Sequence, residues 1–252
     1  MGRIFMEVIA INQSIFALVG SDANAGFIRT RDGVVVIDTT YYPDELRDGL
    51  EKAGLATEDV IRVIFTHAHS DHINGYKLLG CPIVCNQRAE KALLKKYPQV
   101  APSLVTFDDE HEMRIGGVLF RLIHTSGHSP DSIVAWLPEE KVLFAGDLIF
   151  SGTAPPIMKT SFKKLNEIYT WLPTLEAEVI VPGHGAICDN SEVRAQQNYV
   201  QGMVKFIEGQ VRKGTSLDAI RKDEDLPHKP GKQHERNIDR VYKWMVEKVG
   251  EG

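Results

Sequence analysis

Cysteine is scarce in this chain: Cys81, Cys85 and Cys188 are the three in 252 residues. So small and odd a set excludes a disulfide framework and favours a reducing compartment. Cys81 and Cys85 read as packing residues, because a thiolate site would need a second pair. No apolar run approaches the roughly 20 residues that span a bilayer. Glu7, Asn12 and Gln13 interrupt the apolar start, and the alternation Phe5, Glu7, Ile9, Ile11 fits strands rather than an export signal. An excess of positive charge is also missing. The formal net charge of −5 leaves no basic footprint for nucleic acid. Tandem repeats and low-complexity segments are absent. What these exclusions leave is a cytoplasmic globular protein with a small-molecule substrate and no membrane or nucleic-acid partner, a homodimer being possible.

Hydrophobic residues make up 43% and charged residues 25% of the chain, ordinary values for a soluble fold with a substantial core. Residues 3–10, 13–19, 25–30 and 33–38 read as strands of a meander, with Asp32-Gly33 turning between the last two. Pro43-Asp44-Glu45 opens a helix whose apolar face is Leu46, Leu50 and Ala53. The run Val60 to Phe65 reads as a buried strand, and the spacing predicts helices over 74–79 and 87–97 around a strand at 82–85. A second β-rich stretch begins near Leu104, with strands at 118–123, 133–137, 142–144 and 179–181 and a helix over 161–172. After Asn190 the pattern turns helical. Val193, Val200, Met203, Val204, Ile207 and Val211 trace one face, and Ile238, Val241, Tyr242, Met245 and Val249 trace another. This divides the chain into a body over 1–190 and a helical extension over 191–252 packed on it.

The chemistry gathers after the strand ending at Phe65. In Thr66-His67-Ala68-His69-Ser70-Asp71-His72 four ligand-type residues fall within six positions. Side chains two apart on an extended segment leave the same face, so His67 and His69 reach one point. Asp71 and His72 follow at a turn, where they face a second point a few Å away. Two imidazoles on one ion, beside a carboxylate and an imidazole on its neighbour, suit a pair of borderline divalent metals. Asp38 ends a strand near this segment and reads as a hydrogen-bonding residue that orders the loop behind it. His128, Asp147 and His184 each follow a strand and sit beside small residues that let the backbone turn sharply. Taken singly, each reads as a turn histidine or a capping aspartate sooner than as a ligand.

Together, in this order, these motifs resemble the metallo-β-lactamase superfamily over most of residues 10–190. The resemblance implies an αβ/βα sandwich, two mixed β-sheets face to face with helices outside, and a metal site at one edge. By motif position, His67, His69 and His128 correspond to ligands of a first metal. Asp71, His72 and His184 correspond to ligands of a second, and Asp147 to the carboxylate bridging both. The ions implied are two divalent metals, zinc above iron or manganese. The bridging aspartate places the likeness in the glyoxalase II-like and lactonase-like branch, although the segment after Asp147 lacks the Gly-Cys-Gly-Arg of glyoxalase II. The implied reaction is attack of a metal-bridging hydroxide on an ester, thioester or lactone carbonyl, with Asp71 orienting it and carrying its proton. No serine or cysteine nucleophile is needed, and Thr125, Ser126 and Ser132 read as supporting turn residues. The alternatives are an iron-dependent persulfide dioxygenase using His67, His128 and Asp147, a phosphodiesterase, and a weak β-lactamase side activity. For the pocket, the expectation is a wall built from residues 151–158 and the carboxy-terminal helices. Ile149, Phe150, Ile157 and Met158 would make it greasy, and Lys229, Lys232, His234 and Arg236 would meet a polar end of the substrate.

Overall fold

Alternation inside one four-residue run sets the layering. In Val34-Val35-Val36-Ile37 all four side chains are buried, but successive residues point to opposite faces of a strand. Val34 and Val36 pack outward with Leu46 and Leu50 of a helix. Val35 and Ile37 pack inward against a second sheet. A continuous apolar run of this kind belongs to a strand covered on both sides.

The computed structural model describes residues 6–20, 22–158 and 161–250. The expected start of the first strand at residue 3 lies outside them, as do the last two residues of the extension. The first sheet runs in chain order: β1 (Glu7–Ala10), β2 (Ile15–Val19), β3 (Ala25–Arg29), β4 (Val34–Ile37), β5 (Val60–Ile64), β6 (Ile83–Asn86) and β7 (Leu104–Phe107). Its first four strands are antiparallel and its last four parallel. Helices α1 (Pro43–Lys52), α2 (Ser70–Ile73) and α3 (Glu90–Lys96) make its crossovers. The second sheet contains β8 (Glu110–Ile115), β9 (Val118–His124), β10 (Ile133–Leu137), β11 (Val142–Phe150) and β12 (Val179–His184). It is antiparallel except where β12 lies parallel to β11.

Ile15, Ile28 and Ile64 of the first sheet meet Phe120, Leu122 and Phe144 of the second in the central layer. The outer face of the second sheet is covered by α4 (Phe162–Trp171), α5 (Asn190–Arg212), the short α6 (Leu217–Arg221) and α7 (Lys232–Gly250). Met203 of α5 and Ile238, Val241 and Met245 of α7 share one cluster with Leu143 and Ala145 of β11. The result is the expected αβ/βα sandwich of two mixed sheets.

Three local expectations differ from the structure. The strand expected to stop at Phe144 runs on to Phe150, through the aspartate it was meant to deliver. Gly146, at φ +50°, lets β11 shift register on β12 instead of ending, a bulge that re-aims a side chain without breaking the sheet. Residues 87–97 form a 3₁₀ turn before α3 rather than one helix, and 74–78 is 3₁₀ as well.

Candidate metal centre

All seven expected ligand residues meet at one edge of the sandwich. His67 and His69 follow β5, Asp71 and His72 occupy α2, His128 lies between β9 and β10, Asp147 is on β11, and His184 closes β12. Ligand atoms of His67, His69, His128 and Asp147 lie within 4.8 Å of one another, and so do those of Asp71, His72 and His184. Asp71 and His72 stand on a helical turn instead of the irregular turn expected, because α2 starts directly after His69.

Nε2 of His67 and Nε2 of His128 each approach Nδ1 of His69 at 3.0 Å. Oδ2 of Asp147 is 3.3 Å from Nε2 of His128 and 3.8 Å from Nε2 of His67. On its other side, Oδ1 of Asp147 is 3.0 Å from Nε2 of His72 and 3.1 Å from Nε2 of His184. Oδ2 of Asp71 lies 3.4 Å from His184 Nε2 and 3.8 Å from His72 Nε2. Tetrahedral ligands about 2.0–2.1 Å from one ion stand about 3.3 Å apart. Both groups have that spacing. His72 Nε2 and Asp147 Oδ1 are buried without a hydrogen bond, a costly state for polar atoms unless a cation satisfies them. The donor set and these two atoms therefore fit a divalent metal at each group.

Supporting hydrogen bonds fix which nitrogens face inward. Asp38, held at φ +57°, accepts from the backbone N–H of Thr66 at 2.9 Å and from its hydroxyl at 2.6 Å. Its Oδ2 also accepts from Nδ1 of His72 at 2.8 Å, which turns His72 Nε2 toward the centre. The Thr66 hydroxyl gives its proton to Asp38, so it accepts from Nδ1 of His67 at 3.1 Å and leaves His67 Nε2 as a lone pair. The ordering role expected for Asp38 is met. Asp131 escaped the sequence reading. Its Oδ2 accepts from the N–H of Ala68, between the first two histidines, at 2.7 Å, and its Oδ1 accepts from the Ser129 hydroxyl at 2.7 Å. The remaining signal was a Pro-Asp turn beside His128, which does not reveal a partner sixty residues back.

Electrostatics differ between the two groups. Burial, with the His72 charge beside it, holds His67 well below the usual imidazole range, and burial likewise lowers His128. For His72 burial works the same way but is outweighed by the Asp147 and Asp38 carboxylates, which hold it well above that range. His184 is raised to about 9, burial being overcome by the Asp147 and Asp71 carboxylates beside it. Burial penalises the Asp147 carboxylate, yet His72 and His184 keep it well below the ordinary value. The centre thus gathers anionic oxygens around positions that favour positive charge. His69 is exposed and Asp71 and His184 are half-buried, so the centre opens on that side. The ring of Phe150 stacks on His184 at 5.1 Å and 12°.

The pocket wall comes from the expected elements, the 151–158 segment and the carboxy-terminal helix α7, but partly through other side chains. Ile149 and Ile157 turn into the core. A crevice of about 220 Å³ beside His128 and Asp147 is walled by the expected Met158 together with Pro155, Pro156 and Leu165, and the expected Phe150 lines a second crevice. His234 is buried against Tyr199 and Lys229 pairs with Glu192. Gln233 and Arg240, not Lys232 and Arg236, are the α7 side chains that line it.

Residues 18–184 match the profile of the Metallo-beta-lactamase superfamily. A beta-lactamase-like protein 2 homolog of Caenorhabditis elegans is 28% identical over 209 residues, covering 79% of this chain and 67% of its own. An atrochrysone carboxyl ACP thioesterase of Aspergillus fumigatus is 32% identical over 152 residues, covering 58% of this chain and 45% of its own. The chain spans about half to two thirds of the length of the curated relatives it matches. Among solved structures, a metallo-beta-lactamase from Pontibacter korlensis superposes with a TM-score of 0.67 at 22% identity, covering 78% of this chain and 99% of its own. That last likeness speaks for the fold.

Proposed function

The chain belongs to the metallo-β-lactamase superfamily and is a metal-dependent hydrolase; from that premise we propose a dinuclear centre that cleaves a carboxylic ester or thioester. In this reading His67, His69, His128 and Asp147 hold one divalent ion. Asp71, His72, His184 and the same Asp147 hold the other. The observation that carries it is the division of Asp147, whose Oδ2 faces the first group and whose Oδ1 faces the second. Imidazole and carboxylate donors without a thiolate suit zinc.

Divalent ions bound there supply Lewis acidity to a carbonyl oxygen and lower the pKa of a bound water from about 15.7 to about 7. The chain's own residues do the rest. Burial penalises the Asp71 carboxylate at the open side, yet His184, the His72 charge and a backbone hydrogen bond together lower its pKa. As a carboxylate it accepts the proton of the attacking water and returns it to the departing alkoxide or thiolate. Asp38 and Thr66 hold the imidazoles of His72 and His67 in the tautomers that present Nε2. Phe150 fixes the His184 ring, and the crevice beside His128 takes the acyl group. The thioesterase relative supports the thioester among the carbonyl substrates.

The test is hydrolysis of matched esters, thioesters and lactones before and after chelation. The reading expects ester or thioester turnover that disappears with chelator and returns with zinc. Persulfide oxidation on reloading with iron, without turnover of any carbonyl substrate, contradicts it.

A further inference from the structure

Among the described residues, one carboxylate and one guanidinium line the crevice beside the centre, and they differ in depth. Asp147, the carboxylate, is buried, and Arg240, the guanidinium, is exposed. Pro155, Pro156, Met158 and Leu165 give the same crevice an apolar wall, with Ser161, Tyr169 and Gln233 as its uncharged polar lining. The neighbouring acid on α7 does not neutralise Arg240, because Asp239 pairs with Arg221. Among the described residues no carboxylate is paired with Arg240, whose side chain is exposed.

This guanidinium is carried on a rigid mount. Gln233 and Arg240 are seven residues apart, two helical turns, so they share one face of α7 and are separated by about 10 Å along its axis. Between them, Asn237 is buried. Its Oδ1 accepts from the N–H of Ile157 at 2.9 Å and its amide donates to the carbonyl of Pro155 at 2.7 Å. The proline wall is therefore pinned to the helix that bears the arginine. Gln233 donates to Asn237 Oδ1 at 2.9 Å and also lines a second crevice, of about 370 Å³, on the His184 side.

We propose that Arg240 is a specificity-determining residue that binds a carboxylate at the end of the acyl group remote from the reacting carbonyl. The substrate class is then an ester or thioester of a short dicarboxylic acid, its methylene chain lying along the proline wall. A planar guanidinium binds a carboxylate through two parallel hydrogen bonds, with a geometric selectivity that a lone ammonium lacks. The assignment of which end reacts rests on the hydrolase reading given above.

The experiment compares S-glutaryl-N-acetylcysteamine with its carboxamide counterpart, in which the terminal carboxylate becomes an amide of the same shape, on zinc-loaded wild type, Arg240→Ala, Arg240→Lys and Arg240→Glu. Wild type prefers the glutaryl thioester. The ratio of kcat/KM for the two falls about ten- to a hundred-fold in Arg240→Ala, mostly through KM. Arg240→Lys recovers part of the ratio and Arg240→Glu inverts it. Calorimetric binding of glutarate and of its monoamide to the same proteins tests the contact without turnover. If wild type cleaves neither thioester, the hydrolase reading fails for these substrates, and loss of the glutarate preference in Arg240→Ala still decides the arginine's role. An equal ratio and equal binding preference in wild type and Arg240→Ala overturn the proposal.

Discussion

A Cβ placed on Gly183 would stand 2.1 Å from Oδ1 of Asp147, with the backbone of Gly146 and Asp147 within 2.9 Å behind it. The penultimate residue of β12 thus has no side chain because the carboxylate of β11 occupies that space. Gly183→Ala should push the Asp147 carboxylate off its place between the two histidine groups, at a cost of about 1–3 kcal/mol for the overpacking. We expect a folded protein, by far-ultraviolet circular dichroism, that retains less zinc than wild type after dialysis against a weak chelator. Full zinc retention would contradict the placement of Oδ1.

Asp38→Asn removes the charge behind His72 while keeping a residue that tolerates the positive φ of this position. Loss of an outer partner of a metal-bound histidine typically costs 10–100-fold in metal affinity. Competition with a chromophoric chelator should show a weakening of that size at one site, the site containing His72. An unchanged affinity would mean that the 2.8 Å contact does not orient the ring.

Asn237 bridges α7 and the proline wall, so Asn237→Leu leaves the N–H of Ile157 and the carbonyl of Pro155 without their partner. Each buried group left unsatisfied costs about 1–3 kcal/mol. Urea unfolding should place the variant about 2–6 kcal/mol below wild type, and KM should rise on any acyl substrate. A variant as stable as wild type would show that water or another side chain takes over both bonds.

How much of this was legible beforehand divides by the range of the interaction involved. His128, Asp147 and His184 were placed beside His67 and His69 by the family resemblance, whereas those two were legible as a pair because they are two apart on an extended segment, a purely local rule. The layering was visible for the same reason, in the apolar run of β4. Gly146 read as the end of a strand, because from sequence alone a glycine that ends a strand looks like one that bulges it. Asp131 and Asn237 bond to residues 63 and 80 positions away, and nothing in their own neighbourhoods announces those partners. Ile149 and Ile157 were expected to line the pocket by proximity to Asp147 along the chain. They face the core instead, where burying an isoleucine gains about 1.5–3 kcal/mol.

Acid should loosen the carboxy-terminal helix. Burial, helped by the neighbouring His228, lowers the pKa of His234 in the fold. Below about pH 6.5 the unfolded chain takes up a proton that folded His234 resists, so stability falls as pH drops through that range. Melting temperatures of wild type and His234→Gln, compared at pH 7.5 and 5.5, should show the smaller acid-induced fall in the variant. An identical fall in the two proteins would remove His234 from the explanation.

The most direct measurement is zinc stoichiometry by titration into metal-free protein, read by elemental analysis after removal of excess metal, for wild type beside Asp147→Ala. If Asp147 is shared by the two groups, wild type binds two zinc ions per chain, and the variant loses affinity at both sites while keeping its secondary structure. One ion per chain in the wild type, or a variant that still fills both sites at wild-type affinity, would contradict the dinuclear account.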